Sequence, residues 1–315
     1  MKNISVIGAG LMGHGIATVF SLGGYQVTLH DVSEEALTRA QKLISEVLCT
    51  LAEAGIIDPQ GSASLRDRIV LTTSLATVAA HADLIVEAVT EDAEIKRSVF
   101  SELDNLAPPT AVWASNTSSL NIFDLLPKRR LARSLIAHWY TPPYIVDLVD
   151  VVPSPETEPQ IVAAVTGLLK GLGKQPIVLP KFISGYIANR LQAALNVEVF
   201  FLLDHGYATP EQIDQAVESG LALRMPLLGV LKKADYTGLE LIRQLLANKT
   251  YEPPQGLDRS QMLDEHIKMG RTGVMAGKGF FDYRGCSPEE LFRERDLKLI
   301  ALKKFLVQLG DLELL

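Results

Sequence analysis

The stretch NISVIGAGLMG, residues 3–13, decides the fold, because it joins an apolar strand directly to a glycine-rich turn. Its glycines match G-x-G-x-x-G, a pattern that binds a pyrophosphate when it follows a strand and opens a helix. Gly8 permits the tight turn, Gly10 lets the backbone approach a pyrophosphate, and Gly13 lets the helix pack on the strand. The helix N-terminus adds unpaired N–H groups and a partial positive charge. The predicted cofactor contacts of this loop are Gly8, Gly10, Leu11, Met12 and Gly13.

Asp31 ends the second predicted strand and completes this pattern. An acid there accepts hydrogen bonds from the adenosine ribose hydroxyls and would repel a 2′-phosphate, so NAD is favoured over NADP. The alternative is a glycine turn followed by an aspartate that only caps a helix. The coincidence of strand, glycines, helix and acid argues against it. The sequence therefore predicts NAD as the cofactor.

The rest of the first half alternates β-rich runs with helical patterns, which indicates βαβ units and a parallel sheet. The predicted strands are Asn3–Ile7, Gln26–His30, Arg68–Thr72, Asp83–Ala88, Ala111–Ala114, Ser134–His138, Leu148–Val152 and Gln175–Leu179. The predicted helices are Leu11–Leu22, Glu34–Ala54, Ala93–Leu106, Ile161–Leu172, Tyr186–His205, Pro210–Leu221, Tyr236–Leu246 and Ser287–Leu309. We therefore expect an α/β Rossmann-type, doubly wound, mainly parallel sheet over 1–183, followed by an all-helical domain over 184–315.

Composition and charge narrow the class of protein. The 315 residues carry a net charge of −7, which disfavours nucleic acid as a partner. The two cysteines, Cys49 and Cys286, lie far apart and show no metal-ligand spacing, so free thiols and no metal are expected. We see neither a signal peptide nor a long uncharged apolar run, and expect a soluble cytoplasmic protein away from membranes.

A histidine and an aspartate are candidates for proton transfer. His138 ends one β run and Asp150 lies inside the next. If these runs are neighbouring strands, the carboxylate can fix the imidazole tautomer and stabilise the imidazolium, which makes Nε2 a competent base. A buried histidine that is merely hydrogen-bonded is the alternative, and residue chemistry alone leaves both open.

Ordered motifs over nearly the whole chain resemble the 3-hydroxyacyl-CoA dehydrogenase family. They are Gly8–Gly13, Ile85–Val89 with Glu91 and Lys96, Ala114–Leu120, His138–Asp150, Gly185–Leu191 and Gly277–Tyr283. The resemblance implies an N-terminal nucleotide domain and a helical C-terminal domain that forms a homodimer.

The resemblance also implies roles for individual residues. His138 falls on the catalytic histidine and Asp150 on its partner glutamate. Ser118 and Asn189 fall on residues that hydrogen-bond the substrate oxygen. Cofactor-site positions correspond to Ala88, Glu91, Lys96 and Asn116. Bland alternatives remain: Ser118 could cap a helix, Asn189 could be an internal helix residue, and Lys96 could be a solvated charge.

Several positions depart from the family pattern. Asp150 is one methylene shorter than glutamate, so the pair must shift by about 1.5 Å to keep its hydrogen bond. Thr141 stands for an asparagine, and Trp139 and Tyr140 stand for two phenylalanines. The stretch 48–56 lacks an expected lysine, which weakens binding of a CoA phosphate. The segment 220–224 resembles the lambda-crystallin and gulonate dehydrogenase branch.

Three functional hypotheses follow. The first is oxidation of the 3-hydroxyl of an L-3-hydroxyacyl-CoA, with His138 as base and hydride transfer to NAD. The second is oxidation of a CoA-free 3-hydroxy acid or other small carboxylate, with Arg224 clamping the carboxylate. Arg224 could equally be a surface residue at a helix end. The third is a non-enzymatic NAD-binding or lens-type protein, which an intact set of His138, Asp150, Ser118 and Asn189 disfavours.

Overall fold

The computed structural model describes residues 1–248, 252, 254, 259–283 and 285–310. These residues form two compact units, Met1–Ile187 and Ala188–Leu315. The first unit is built on a sheet, and the second is built mainly of helices.

The first unit contains one sheet of eight strands in the order β3-β2-β1-β4-β5-β6-β7-β8. The strands are β1 (Asn3–Ile7), β2 (Gln26–His30), β3 (Ile69–Thr72), β4 (Leu84–Glu87), β5 (Val112–Ser115), β6 (Ser134–Trp139), β7 (Leu148–Pro153) and β8 (Gln175–Val178). Every neighbouring pair is parallel except β6 and β7, which run antiparallel. The strands agree with the predicted runs to within one residue at either end.

Helices cover both faces of this sheet, as a doubly wound fold requires. They are α1 (Gly13–Leu22), α2 (Glu34–Glu53), α3 (Ser62–Asp67), α4 (Leu75–Ala79), α5 (Ala93–Leu106) and α6 (Pro159–Gly171). Phe20 of α1 and Val165 of α6 belong to the apolar cluster on one face, whereas Phe100 of α5 belongs to the cluster on the other. The expected α/β architecture with a mainly parallel sheet is confirmed.

The alternation of side chains along β6 divides its residues between these two clusters. Ala137 and Trp139 pack in the cluster of α1 and α6, while Ile136 packs in the cluster of α5. His138 therefore points to the same side of the sheet as Ile136, because successive strand residues face opposite sides. This placement sets the direction from which the imidazole can be reached.

The described part of the second unit is mainly helical. Its helices are α7 (Ala188–Asp204), α8 (Pro210–Ala216), α9 (Met225–Leu228), α10 (Leu231–Thr237), α11 (Leu239–Ala247), α12 (Gln261–Lys268) and α13 (Pro288–Leu309). A π-helical segment, Val217–Ala222, continues α8. Isolated bridges join Lys278 to Gly273 and Asp282, so the predicted Gly277–Tyr283 turn is held by backbone pairing.

One helix prediction in this unit was wrong. We expected a continuous helix over Tyr236–Leu246, but α10 ends before Gly238 and α11 starts after it. Gly238 has φ of +96°, a conformation outside the right-handed helix that glycine adopts without a Cβ penalty. Among the described residues, none of the helices is both long and apolar enough to cross a membrane.

Candidate active site

The glycine loop forms the tight turn between β1 and α1 that the sequence predicted. Gly8 has φ of +100°, and a Cβ there would lie 2.5 Å from the carbonyl oxygen of Ala88 at the end of β4. A Cβ on Gly13 would lie 1.7 Å from the carbonyl oxygen of Gly8. Both positions therefore require glycine. The loop sits between β1 and β4, where the strand order reverses, and such switch points hold ligands in open α/β sheets.

The same loop has the open surface that a dinucleotide needs. A Cβ built on Gly10 meets no atom within 4 Å, and the Leu11 side chain is 70% exposed. Asp31 follows β2 and its carboxylate accepts hydrogen bonds from the Ala9 amide at 2.9 Å and the Ser33 amide at 3.1 Å. The acid is thus fixed beside the loop, as a ribose-binding acid must be. These residues fit a bound NAD.

Gly10→Val tests whether this open surface is a binding surface. Because the protein leaves the space beside Gly10 empty, we expect the variant to fold with an unchanged melting temperature. The new side chain would block a pyrophosphate from the helix N-terminus, and we expect the Kd for NADH to rise about 100-fold. Titration of NADH fluorescence measures this. Gly167→Ala, also with open space at its Cβ but on α6, is the control. Unaltered NADH binding by Gly10→Val would contradict the assignment.

His138 and Asp150 face one another across the antiparallel pair β6–β7, where they occupy directly opposed positions. The distance from His138 Nδ1 to Asp150 Oδ2 is 3.5 Å. Only 3% of His138 and none of Asp150 is exposed. The pairing expected from the sequence is present, and the long separation agrees with an aspartate that lacks one methylene.

Ser118 contacts the other nitrogen of the same imidazole. Its Oγ lies 3.2 Å from His138 Nε2. A carboxylate beside Nδ1 favours the tautomer with the proton on Nδ1, so Nε2 accepts a hydrogen bond from the Ser118 hydroxyl. Ser118 is exposed, whereas the imidazole behind it is buried. The lone pair of His138 Nε2 therefore points toward the Ser118 hydroxyl.

Glu91 holds the turn that carries Ser118. Its Oε1 accepts hydrogen bonds from the backbone amides of Ser118, Ser119 and Leu120 and from the Thr117 hydroxyl. Burial alone would raise the pKa of Glu91. The hydrogen bonds from Thr117 and Ser119 and the positive charge of Lys96 outweigh burial, and they lower the pKa from 4.5 to about 2. Glu91 therefore stays ionised and keeps the turn fixed at every pH at which the imidazole could act as a base.

Lys96 lies beneath this turn in a buried ion pair. Its Nζ is 2.7 Å from Glu87 Oε1 and 3.3 Å from Glu91 Oε2, and both Lys96 and Glu87 are 1% exposed. Ser115 and the Val89 amide also donate to the Glu87 carboxylate. The alternative that Lys96 is a solvated charge on a helix is therefore wrong. A contact between Lys96 and NAD stays a prediction.

The remaining candidate residues are divided between the two units of the chain. Ala88 is half-buried after β4, and Asn116 follows β5 with its Oδ1 accepting from the Trp139 amide at 2.8 Å. Asn189 is the second residue of α7 in the other unit. Arg224 of that unit is exposed, and its Nε donates to the Gly220 carbonyl at 3.0 Å. The roles of Asn189 and Arg224 stay predictions.

Two tyrosines next to His138 were missed by the sequence reasoning. The Tyr140 hydroxyl donates to Asp150 Oδ2 at 2.6 Å, and its ring centroid lies 4.5 Å from that of His138. Tyr186 has φ of +50° and packs its ring 4.8 Å from the imidazole, while its hydroxyl donates to the Thr117 carbonyl. Burial, followed by the negative charges of Glu91 and Asp150, raises the pKa of Tyr186. The departure at Tyr140 was the one available signal.

Two family descriptions match the chain, one in each unit. Residues 3–182 match the family description "3-hydroxyacyl-CoA dehydrogenase, NAD binding domain". Residues 185–283 match "3-hydroxyacyl-CoA dehydrogenase, C-terminal domain". Both units of the chain are therefore represented, and the first match includes the glycine loop and the His138–Asp150 pair.

Individual relatives cover most of the chain. A 5-formyl-3-hydroxy-2-methylpyridine 4-carboxylate 5-dehydrogenase of Mesorhizobium japonicum is 30% identical over 97% of this chain and 98% of its own. A solved structure with that enzyme name, described as an NAD⁺-dependent dismutase, has a TM-score of 0.87 with 29% identity and 99% coverage of both chains. A probable 3-hydroxybutyryl-CoA dehydrogenase of Bacillus subtilis is 31% identical over 90% of this chain and 98% of its own. Rabbit lambda-crystallin is 30% identical over 73% of each chain. The chain belongs to the 3-hydroxyacyl-CoA dehydrogenase family, whose members are NAD-dependent oxidoreductases acting on a CH–OH group.

Proposed function

We propose that this protein oxidises the CH–OH group of a small hydroxy compound to a carbonyl, with His138 as the general base. One observation carries the proposal. The imidazole has a carboxylate at Nδ1 and the hydroxyl of Ser118 at Nε2, so its basic nitrogen points toward a residue that is exposed in this structure. General-base catalysis needs this geometry first and a suitable proton affinity second.

The residues of the site act together to transfer the proton of the substrate hydroxyl to His138. His138 Nε2 accepts the proton of the substrate hydroxyl, and Asp150 stabilises the imidazolium that forms. Ser118, held by the turn on Glu91, donates a hydrogen bond to the substrate oxygen as it becomes a carbonyl oxygen. When bound, NAD supplies the hydride acceptor. Asn189 is proposed as a further hydrogen-bond partner of that oxygen on the strength of the family resemblance.

A protein that only binds a dinucleotide would have no use for this pair. Asp150 is fully buried, and within the described part of the chain its Oδ1 has no hydrogen-bond partner. A buried and incompletely paired carboxylate costs on the order of 1–3 kcal/mol of stability. That cost supports a catalytic role over a structural, lens-type role.

For the substrate, we favour a CoA-free hydroxy carboxylate. The Mesorhizobium relative matches 97% of the chain, whereas the Bacillus relative matches 90%. The name of the former describes a free pyridine carboxylate. The lysine expected for CoA phosphates is missing from the stretch 48–56. Arg224, exposed in the second unit, is the proposed bidentate partner of the substrate carboxylate.

An L-3-hydroxyacyl-CoA is the second candidate substrate. The family models over 3–182 and 185–283 carry this name, and the second model includes the Gly277–Tyr283 turn. The same His138 chemistry applies to this substrate, because the 3-hydroxyl presents the same proton to Nε2. The two candidates differ in what must be bound beyond the reacting carbon.

Arg224→Met distinguishes the two candidates. Purified protein is assayed for NADH formation with L-3-hydroxybutyryl-CoA and with a panel of free hydroxy carboxylates, aromatic ones included. If a free acid is the substrate, we expect KM to rise about 30-fold through loss of a charged hydrogen bond, with kcat changed little. Arg243→Met, on exposed α11, is the matched control. An unchanged KM for the free acid, or turnover of the CoA thioester alone, would overturn our choice of substrate.

We also propose that the second unit forms a homodimer and that the protein acts in the cytoplasm. Large apolar side chains of this unit are exposed in the single chain, among them Leu223, Leu231 and Leu246. Together with the homodimer that the family resemblance implies, these side chains support association through this unit. Light scattering at assay concentration that returns a monomer mass would contradict the dimer.

A further inference from the structure

Two of the positions that depart from the family pattern contact one another. The Tyr140 hydroxyl donates to Asp150 Oδ2 at 2.6 Å. The same oxygen is the one that faces His138 Nδ1, at the longer distance of 3.5 Å. Asp150 Oδ1 is buried and has no hydrogen-bond partner among the described residues. The tyrosine hydroxyl therefore binds the carboxylate more closely than the imidazole does.

A short hydrogen bond to a carboxylate changes what the carboxylate does to a neighbour. The donated proton draws electron density from Asp150 Oδ2 toward Tyr140, so that oxygen becomes a weaker acceptor for His138 Nδ1. It also fixes the direction of the carboxylate, which is one methylene shorter than a glutamate. The imidazolium of His138 is then stabilised less than it would be by a carboxylate with no other donor.

The other ionisable groups around the imidazole do not take over this role. Tyr186 packs on His138, but its hydroxyl donates to the Thr117 carbonyl. Glu91 interacts electrostatically with Tyr186, as Asp150 and Tyr140 do, but the negative charge of Glu91 is compensated by Lys96 and by the amides of the turn that it holds. Among the described groups facing the imidazole from β6, β7 and the adjoining turns, only Tyr140 donates to Asp150 Oδ2 besides the imidazole itself.

We propose that Tyr140 is a positioning residue: its hydroxyl holds the Asp150 carboxylate and limits how strongly that carboxylate retains the proton on His138. The inference rests on the proposed role of His138 as the base. By restraining the carboxylate, Tyr140 keeps the imidazole neutral, and so available as a base, at a lower pH than a carboxylate without this donor would allow.

Tyr140→Phe tests the inference by removing one hydroxyl. The freed carboxylate attracts the imidazole proton more strongly, so the protonated form persists to higher pH. We expect the acid limb of the pH profile of kcat/KM to move upward by about one pH unit. Above that limb the rate is expected to stay within about threefold of the original, because the base and Ser118 are intact. The ring signal of His138, followed by NMR with labelled histidine and identified by its loss in His138→Gln, should shift its titration midpoint by the same amount.

The NMR titration separates this inference from the proposed function. A shifted midpoint in a protein that turns over no substrate would support the role of Tyr140 while the proposed function fails. The shift should vanish when Tyr140→Phe is made in an Asp150→Asn background, because the hydroxyl acts through that carboxylate. Tyr25→Phe is the control for loss of a hydroxyl, because Tyr25 is half-buried against Phe20 on the face of the sheet opposite to His138. An unmoved midpoint, or a rate lowered equally at every pH, would overturn the proposal.

Discussion

The variant His138→Ala is expected to lower kcat about 1000-fold, because it removes the group that takes the hydroxyl proton. NADH binding should change less than about threefold, since the glycine loop and Asp31 that form the dinucleotide surface are untouched. The alanine also leaves Asp150 buried without its imidazole partner, so some loss of stability is expected as well. NADH fluorescence titration, a thermal melt and the initial rate of NADH formation measure the three effects separately.

His81→Ala is the matched control, because His81 is an exposed histidine of the same unit. It should retain full activity and full NADH binding. Loss of a general base should lower the rate at least about 100-fold. A His138→Ala protein that binds NADH and keeps a tenth or more of the original rate would therefore show that His138 is not the base. Loss of NADH binding in the same variant would show a disturbed fold instead of a missing base.

Local patterns were enough to predict the sheet and one central pair of the site. The glycine loop is recognisable because its strand, turn and helix are contiguous in sequence. His138 and Asp150 were paired on the condition that their two β runs are neighbouring strands, and the antiparallel pair β6–β7 meets that condition. The structure places them at directly opposed positions, as that argument requires.

Contacts that depend on distant segments could not be predicted in the same way. Nothing local in the sequence brings Glu91 onto the amides of Ser118 and Ser119, and nothing local indicates that Lys96 is buried. Tyr186 reaches the imidazole from the end of the first unit through a left-handed backbone conformation. The helix predicted over Tyr236–Leu246 failed for a different reason. A glycine inside an amphipathic pattern, as at Gly238, marks either a tolerated residue or a break, and periodicity alone does not distinguish them.

The buried lysine supports a second prediction with a large effect, this one on stability. Lys96→Met is expected to lower the free energy of unfolding by about 3–5 kcal/mol, because Glu87 then keeps a buried negative charge without its cation. Glu91 loses a cation too, so its pKa should rise from about 2 and the turn that carries Ser118 should loosen. Urea unfolding at neutral pH measures the change in stability, and the rate of NADH formation reports on the turn.

Two further variants show whether the charge imbalance is the cause. Lys42→Met breaks an exposed pair, with side chains 66% and 38% exposed, and should cost less than about 1 kcal/mol. The double variant Glu87→Gln with Lys96→Met removes both charges. The glutamine oxygen can still accept from the Val89 amide, and its NH2 group can donate to the Ser115 hydroxyl oxygen. The double variant should recover at least half of the stability lost in Lys96→Met, since an uncharged buried pair carries no desolvation penalty for ions. A double variant as unstable as the single one would mean that Lys96 stabilises the protein through the packing of its long side chain. The turn that carries Ser118 would then be held by packing more than by the charge of Lys96.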